Sequence, residues 1–197
     1  MKQFLKEWGI FSIIIIVAIL TRLFVWFPVT VDGHSMDPTL ADGQRLIVVK
    51  TTSLQRFDVV VAKETEDGTT KQIVKRIIGM PGDTIKYDND TLYVNGKKIT
   101  ETYLKDYLAA FKKDQLQSTY SYNNYFQERA ASSSAFTTDN NGNTSFEVTV
   151  PAGQYYLLGD DRIVSKDSRM VGTFSRKNIL GEVTFRYWTL DKFGTIN

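Results

Sequence analysis

Gln72-Ile73-Val74-Lys75-Arg76-Ile77-Ile78-Gly79-Met80-Pro81-Gly82-Asp83 is the stretch whose reading decides the fold. Ile73, Val74, Ile77 and Ile78 are β-branched, and the run is short, as a buried strand is. Gly79-Met80-Pro81-Gly82-Asp83 then stops it with turn residues. Strand alternation puts Lys75 on one face with Ile73 and Ile77, and Arg76 on the other with Val74 and Ile78. Runs of the same kind recur at 46–49, 59–61, 84–87, 92–94, around Ile99, and at 146–150, 154–158 and 183–188. Asn95-Gly96 is a two-residue hairpin signal. Phe146-Glu147-Val148-Thr149-Val150 alternates with period two, as a half-buried strand does. Many short strands separated by turn signals predict a mostly β fold of coiled, antiparallel, Greek-key-like sheets.

Two segments depart from this pattern. Residues 103–111 can form a short helix, and 115–143 is rich in Ser, Thr, Asn, Gln, Tyr and Ala. A structureless loop of that length inside a compact domain is unusual. Residues 100–145 are therefore expected as a small, partly mobile subdomain inserted into a β domain made of 28–99 and 146–197. The other departure is at the start. Residues 8–27 carry one charge, Arg22, over about the length that crosses a hydrocarbon core of ~30 Å. Trp8 and Trp26 mark its ends as interfacial aromatics do, and Arg22 can snorkel to the headgroups. A cleaved signal peptide needs small residues at its cut site, and Phe27-Pro28-Val29-Thr30-Val31-Asp32 is bulky. The expectation is an uncleaved transmembrane anchor at 8–27. Lys2 and Lys6 would hold 1–7 in the cytoplasm.

Charge and composition narrow the function classes. Lys2, Lys6 and Arg22 against Glu7 account for the whole net charge of +2, so the rest of the chain is neutral. A nucleic-acid partner would require a basic face, and none is expected. There is no Cys, which removes disulfides and cysteine nucleophiles, and one His, which removes a multi-His metal site. No cofactor or metal is expected.

The chemistry-bearing stretch is Val31-Asp32-Gly33-His34-Ser35-Met36-Asp37-Pro38-Thr39-Leu40. Ser35 sits between residues that shape a backbone, so it reads as a turn serine or as a nucleophile on a stiff loop. A serine nucleophile needs a base. His34 is adjacent, and adjacent side chains on an extended segment point apart, so a Ser-His-Asp triad is not expected. A lysine serves if burial lowers its pKa. Lys75, on an apolar strand face, reads as that base or as a snorkelling lysine at a sheet edge. A third polar cluster, Gly159-Asp160-Asp161-Arg162-Ile163-Val164-Ser165-Lys166-Asp167-Ser168-Arg169, follows the apolar run Tyr155-Tyr156-Leu157-Leu158. It reads as a solvated loop or as a hydrogen-bonded platform beneath a buried amine.

Together these stretches resemble the bacterial type I signal peptidases, the Ser-Lys leader peptidases, in their Gram-positive-like form. Ser35-Met36-Asp37-Pro38-Thr39-Leu40 is similar to the family's S-M-x-P-T-L motif. Lys75 to Asp83 is similar to K-R-x-x-G-x-P-G-D, and Gly159 to Arg169 to G-D-N-x-x-x-S-x-D-S-R. Arg56-Phe57-Asp58-Val59-Val60-Val61 resembles R-G-D-x-V, with Phe57 where glycine is usual, and Asp161 stands where the family has Asn. The resemblance covers about 5–100 and 146–190. It implies coiled antiparallel sheets of signal-peptidase type with one N-terminal transmembrane helix. It implies Ser35 as nucleophile, Lys75 as general base and Ser165 as the residue that orients the lysine. Arg76, Asp160, Asp167 and Arg169 would support the site through ion pairs. The oxyanion hole would rest on the Ser35 backbone N–H and the Gly33 region, because Gly33 replaces a serine donor found in some members. The implied activity is removal of signal peptides from exported preproteins. The implied protein is a monomer, single-pass in the plasma membrane lipid bilayer, with its catalytic domain on the extracytoplasmic face. A self-cleaving repressor-type protease should carry a basic helix-turn-helix where this chain is greasy. A membrane-anchored, non-catalytic β binding module gives no reason for Ser35, Lys75 and the 165–169 cluster to coexist.

Overall fold

The computed structural model describes residues 2–50 and 53–196, with side chains from Trp8 onward. Residue 1 and the side chains of Lys2, Lys6 and Glu7, on which the cytoplasmic reading of 1–7 rests, lie outside what is described. The first element, α1 (Lys2–Phe24), leads directly into β1 (Trp26–Thr30). Pro28 cannot continue a helix, and Trp26 to Thr30 pair with β2 (Arg45–Val49) in register Trp26↔Val49 to Thr30↔Arg45. Trp26 and Phe27, expected inside a 20-residue span, thus belong to the sheet. Among the described residues no helix is long and apolar enough to cross a membrane.

The β structure is mostly antiparallel, as the short runs predict. Strands β3 (Val59–Glu66) and β4 (Thr69–Gly79) form a long hairpin, paired from Val59↔Arg76 to Glu66↔Thr69. Strands β9 (Gln154–Leu158), β10 (Phe174–Ser175), β11 (Ile179–Trp188) and β12 (Gly194–Thr195) complete an eight-stranded sheet. Its order is β1-β2-β11-β3-β4-β9-β10, with β12 beside β11. A second sheet of four strands orders β7-β6-β5-β8 from β5 (Thr84–Asp88), β6 (Thr91–Val94), β7 (Lys97–Ile99) and β8 (Ser145–Thr149). Asn95 and Gly96 both have positive φ at the β6–β7 turn, as an Asn-Gly hairpin requires. β1, β10 and β12 carried no strand signal of their own, because two are two residues long and the first follows the greasy run without a break.

Both faces of the β3–β4 hairpin are covered. Val60, Ala62 and Ile77 face one cluster with Leu157, Phe174 and Ile179. Val59 and Val61 face another with Met36, Leu40, Leu46 and Val48. The expected inserted segment is more ordered than its composition indicates. It contains α2 (Lys105–Asp114) and α3 (Asn124–Ser132), packed around Leu104, Phe111, Leu116, Tyr120, Ala130 and Phe136. Asn123 caps α3 by accepting from the Phe126 N–H at 3.3 Å, a start signal hidden in a polar run. The same cluster includes Ile163, so this segment is seated on the 159–169 loop.

Candidate active site

Ser35 comes from the loop between β1 and β2, and Lys75 from the middle of β4 opposite Val60. Lys75 Nζ donates to Ser35 Oγ at 2.6 Å. Lys75 is only 4% exposed, because its strand has a neighbour on each face. Burial pulls its pKa down to about 8, against the opposing pull of Asp167, Glu64 and Asp160. His34 faces elsewhere: its Nδ1 meets Asp37 Oδ2 at 2.9 Å, and its ring lies against Tyr122 and Phe126.

The neighbouring residue Arg76 points to the opposite face, as alternation requires, and is fixed by a bidentate pair. Its Nε and Nη2 donate to Asp160 at 2.9 and 2.7 Å, both residues fully buried. Thr39 Oγ1 donates to the same carboxylate at 2.5 Å. Asp160 thereby ties the Ser35 loop, the Lys75 strand and the 159–169 loop to one point. Arg76 Nη1 also donates to the Phe57 carbonyl at 2.8 Å. Phe57 sits at φ +74°, in the left-handed region that favours glycine, so the usual glycine there has a backbone reason. Asp167 accepts from Arg169 at 2.8 and 2.9 Å and from the Gly159 N–H at 3.1 Å. Its carboxyl stays below the usual carboxylate range despite burial, because Arg169 and Lys75 offset the desolvation.

Ser165 and Gly33 have surroundings that the sequence did not signal. Ser165 is fully buried beside the site, and its hydroxyl has no hydrogen-bond partner among the described residues. Its backbone N–H, by contrast, donates to Asp161 O at 3.0 Å. Gly33 does turn the chain at φ +85°, but its N–H is spent on Asp42 Oδ1 at 2.7 Å. Asp42 approaches across the loop, which spacing could not show. Among the described residues no hydrogen bond engages the Ser35 backbone N–H. Gly159 has a steric role that the sequence did not signal. A Cβ there would collide with Ser165 Oγ and the Ser35 carbonyl, so glycine is what lets these two segments touch.

The residues around Ser35 and Lys75 match a known family over most of the chain. The model of "Signal peptidase, peptidase S26" matches residues 4–188. The chain belongs to the signal peptidase family. Signal peptidase I of Streptococcus pneumoniae is 56% identical over 201 residues, 98% of each chain. Signal peptidase IB of Staphylococcus aureus is 40% identical over 200 residues, 98% of this chain and 94% of that one. A crystal structure of a signal peptidase I from Enterococcus faecalis V583 aligns with a TM-score of 0.48 at 27% identity, over 68% of this chain and 98% of that one. In this signal peptidase, Thr30, Val31, Asp32, Ser35 and Met36 form one wall of a cleft of about 270 Å³, and the run Lys71-Gln72-Ile73-Val74-Lys75 forms the other. β4 pairs with β9 only from Arg76 onward, so its edge before Lys75 is open on the cleft side.

Proposed function

We propose that this signal peptidase cuts with the Ser35 hydroxyl as nucleophile and the Lys75 amine as general base. The chain's activity is that of a serine endopeptidase that removes signal peptides. The observation that carries the assignment is the 2.6 Å contact between Lys75 Nζ and Ser35 Oγ, made by a buried lysine whose pKa falls to about 8. With Lys75 unprotonated, the Ser35 hydroxyl donates to the amine, which takes its proton as Oγ attacks the scissile carbonyl carbon. The Ser35 N–H faces the oxyanion that forms. The ammonium then returns its proton to the leaving amine as the C–N bond breaks, leaving an acyl ester on Ser35. Water, deprotonated by the same lysine, attacks the ester; as the acyl C–Oγ bond breaks, the ammonium returns that proton to Ser35 Oγ and the signal peptide leaves with its new carboxylate.

The substrate is an exported preprotein, held as an extended strand in the cleft between the 30–36 segment and the open edge of β4. Strand addition supplies main-chain hydrogen bonds, and shallow pockets accept small alternate side chains. Ser35→Ala and Lys75→Ala are each expected to abolish cleavage of a preprotein in a purified assay, with the circular dichroism spectrum unchanged. Appreciable processing by either variant would remove the assignment.

The enzyme works at a lipid surface, with α1 as its single anchor and the β domain on the extracytoplasmic side. Two features support this. Ile10, Ile13, Ile16, Leu23 and Phe24 on α1 are all exposed, and a helix apolar all round requires an apolar medium. Trp188, Leu190 and Phe193 form a second exposed apolar group on the β domain, suited to the headgroup boundary.

A further inference from the structure

The inserted segment contributes nothing to the Ser35–Lys75 pair, yet it grips the loop around Ser35 from two directions. The rings of Tyr122 and Phe126 lie 5.3 and 5.6 Å from the ring of His34, the residue before Ser35. On the other side, the Tyr120 hydroxyl donates to Asp161 Oδ1 at 2.6 Å, with both residues fully buried. The Asp161 backbone N–H donates in turn to the Ser35 carbonyl oxygen at 3.1 Å. Oδ1 also accepts from the Ile163 N–H at 3.2 Å, which closes the turn that presents this N–H. The other carboxyl oxygen, Oδ2, is buried with no partner among the described residues. Tyr120 is thus the one side-chain donor seen to fix the Asp161 carboxyl, and the Asp161 backbone fixes the peptide plane after the Ser35 Cα.

We infer that Tyr120 of the inserted segment is a positioning residue for Ser35, acting through Asp161. This rests on Ser35 being the nucleophile. Tyr120 is held for the task by its packing among Leu116, Phe136 and Ile163 and by the Tyr107 and Phe126 rings at 6.4 and 5.6 Å. An attacking oxygen must be held in near-attack geometry, and small displacements cost rate rather than binding. Substrate binding uses the cleft on the β1 and β4 side, which includes neither Tyr120 nor Asp161. The loss should therefore fall on kcat.

The test is steady-state kinetics of the full-length enzyme in detergent on a peptide spanning a cleavage site, with Tyr120→Phe, Asp161→Ala, Asp161→Asn and the double variant Tyr120→Phe/Asp161→Ala. Tyr120→Phe keeps the ring and its packing. It is expected to lower kcat about ten-fold with KM within two-fold of the parent. Asp161→Ala should lose at least as much, the double variant no more than Asp161→Ala, and Asp161→Asn, which still accepts from Tyr120, should recover most of the loss. Parent-like kcat in Tyr120→Phe, a change confined to KM, or losses that multiply in the double variant would overturn the inference. If Tyr120→Phe fails to fold, the comparison of Asp161→Ala with Asp161→Asn decides: equal kcat for those two also overturns it. Ser35→Ala run alongside separates the two claims. Its activity would defeat the nucleophile assignment, whereas an inactive Ser35→Ala beside a parent-like Tyr120→Phe would defeat this inference alone.

Discussion

At the residue scale the decisive fact is a lysine that has lost its water. A charged amine resists burial, so desolvation holds the Lys75 pKa at about 8 and makes a free amine accessible near neutral pH. The rate of cleavage is expected to climb through about pH 8 with the slope of a single proton, because the proposed base is the deprotonated amine. Lys75→Arg, which stays protonated, should be inactive throughout; residual activity with the same rise would point to another base. The same shift has a stability cost of known sign. Between about pH 8 and 10.5 the folded chain binds fewer protons at Lys75 than the unfolded chain, so Lys75 makes stability rise with pH across that window. Below it the penalty is fully present, on the order of 3 kcal/mol. Lys75→Met should therefore be inactive yet melt at a higher temperature than the parent at pH 7, with the gain shrinking toward pH 10. A lower melting temperature at pH 7 would show that the Ser35 contact outweighs the burial cost.

At the scale of elements, β4 carries Lys75 in the first sheet and leads into the second. Its last residue, Gly79, is packed tightly against Val150, Tyr156 and Ile85. A Cβ there would fall 2.6 Å from Val150 Cγ2 and 2.9 Å from Tyr156 Cβ. These atoms belong to a packed cluster with Ile78, Ile85 and Tyr87 and cannot simply swing away. Gly79→Ala is expected to destabilise the fold by about 1–3 kcal/mol in urea denaturation. An unchanged midpoint would mean the two sheets can part more easily than their contact implies. The glycine after Ile78 is legible in sequence as a strand stop, but its cause is the approach of Val150 from seventy residues away. The third cluster shows the same limit. Asp160, Asp167 and Arg169 read as a charged loop, and burial of Asp160 against Arg76 is what makes them a joint. The family resemblance implies Ser165 as a partner for Lys75, and its hydroxyl has no hydrogen-bond partner among the described residues. The helix α3 was missed because nine residues, NYFQERAAS, bury Ala130 and little else, too weak a periodicity to stand above a polar run.

At the scale of the whole molecule, a helix with an apolar surface leads directly into a two-sheet body whose reactive cleft opens near the same strand. β1 connects them without a linker, so the apolar helix and the cleft wall at 30–36 share one short path of chain. Ile13→Lys together with Ile16→Lys is expected to move the protein out of the sedimenting membrane fraction. Hydrolysis of a short soluble peptide should persist, because neither residue touches the cleft. Retention in the membrane fraction would assign the attachment to the Trp188, Leu190 and Phe193 group instead. What the amino-acid sequence determined by itself was local: strands where β-branched residues run short, turns at Asn-Gly, a greasy start, and the motifs holding Ser35 and Lys75. Strand alternation alone separated Lys75 from Arg76, and adjacency alone removed His34 as the base. The tertiary structure alone decided which groups meet. Asp42 takes the Gly33 N–H, Asp160 gathers Arg76 and Thr39, and Tyr120 reaches Asp161. The physical reason is that backbone preference and periodicity act over a few neighbouring residues, whereas desolvation and hydrogen-bond partners are set by whatever the folded chain places alongside.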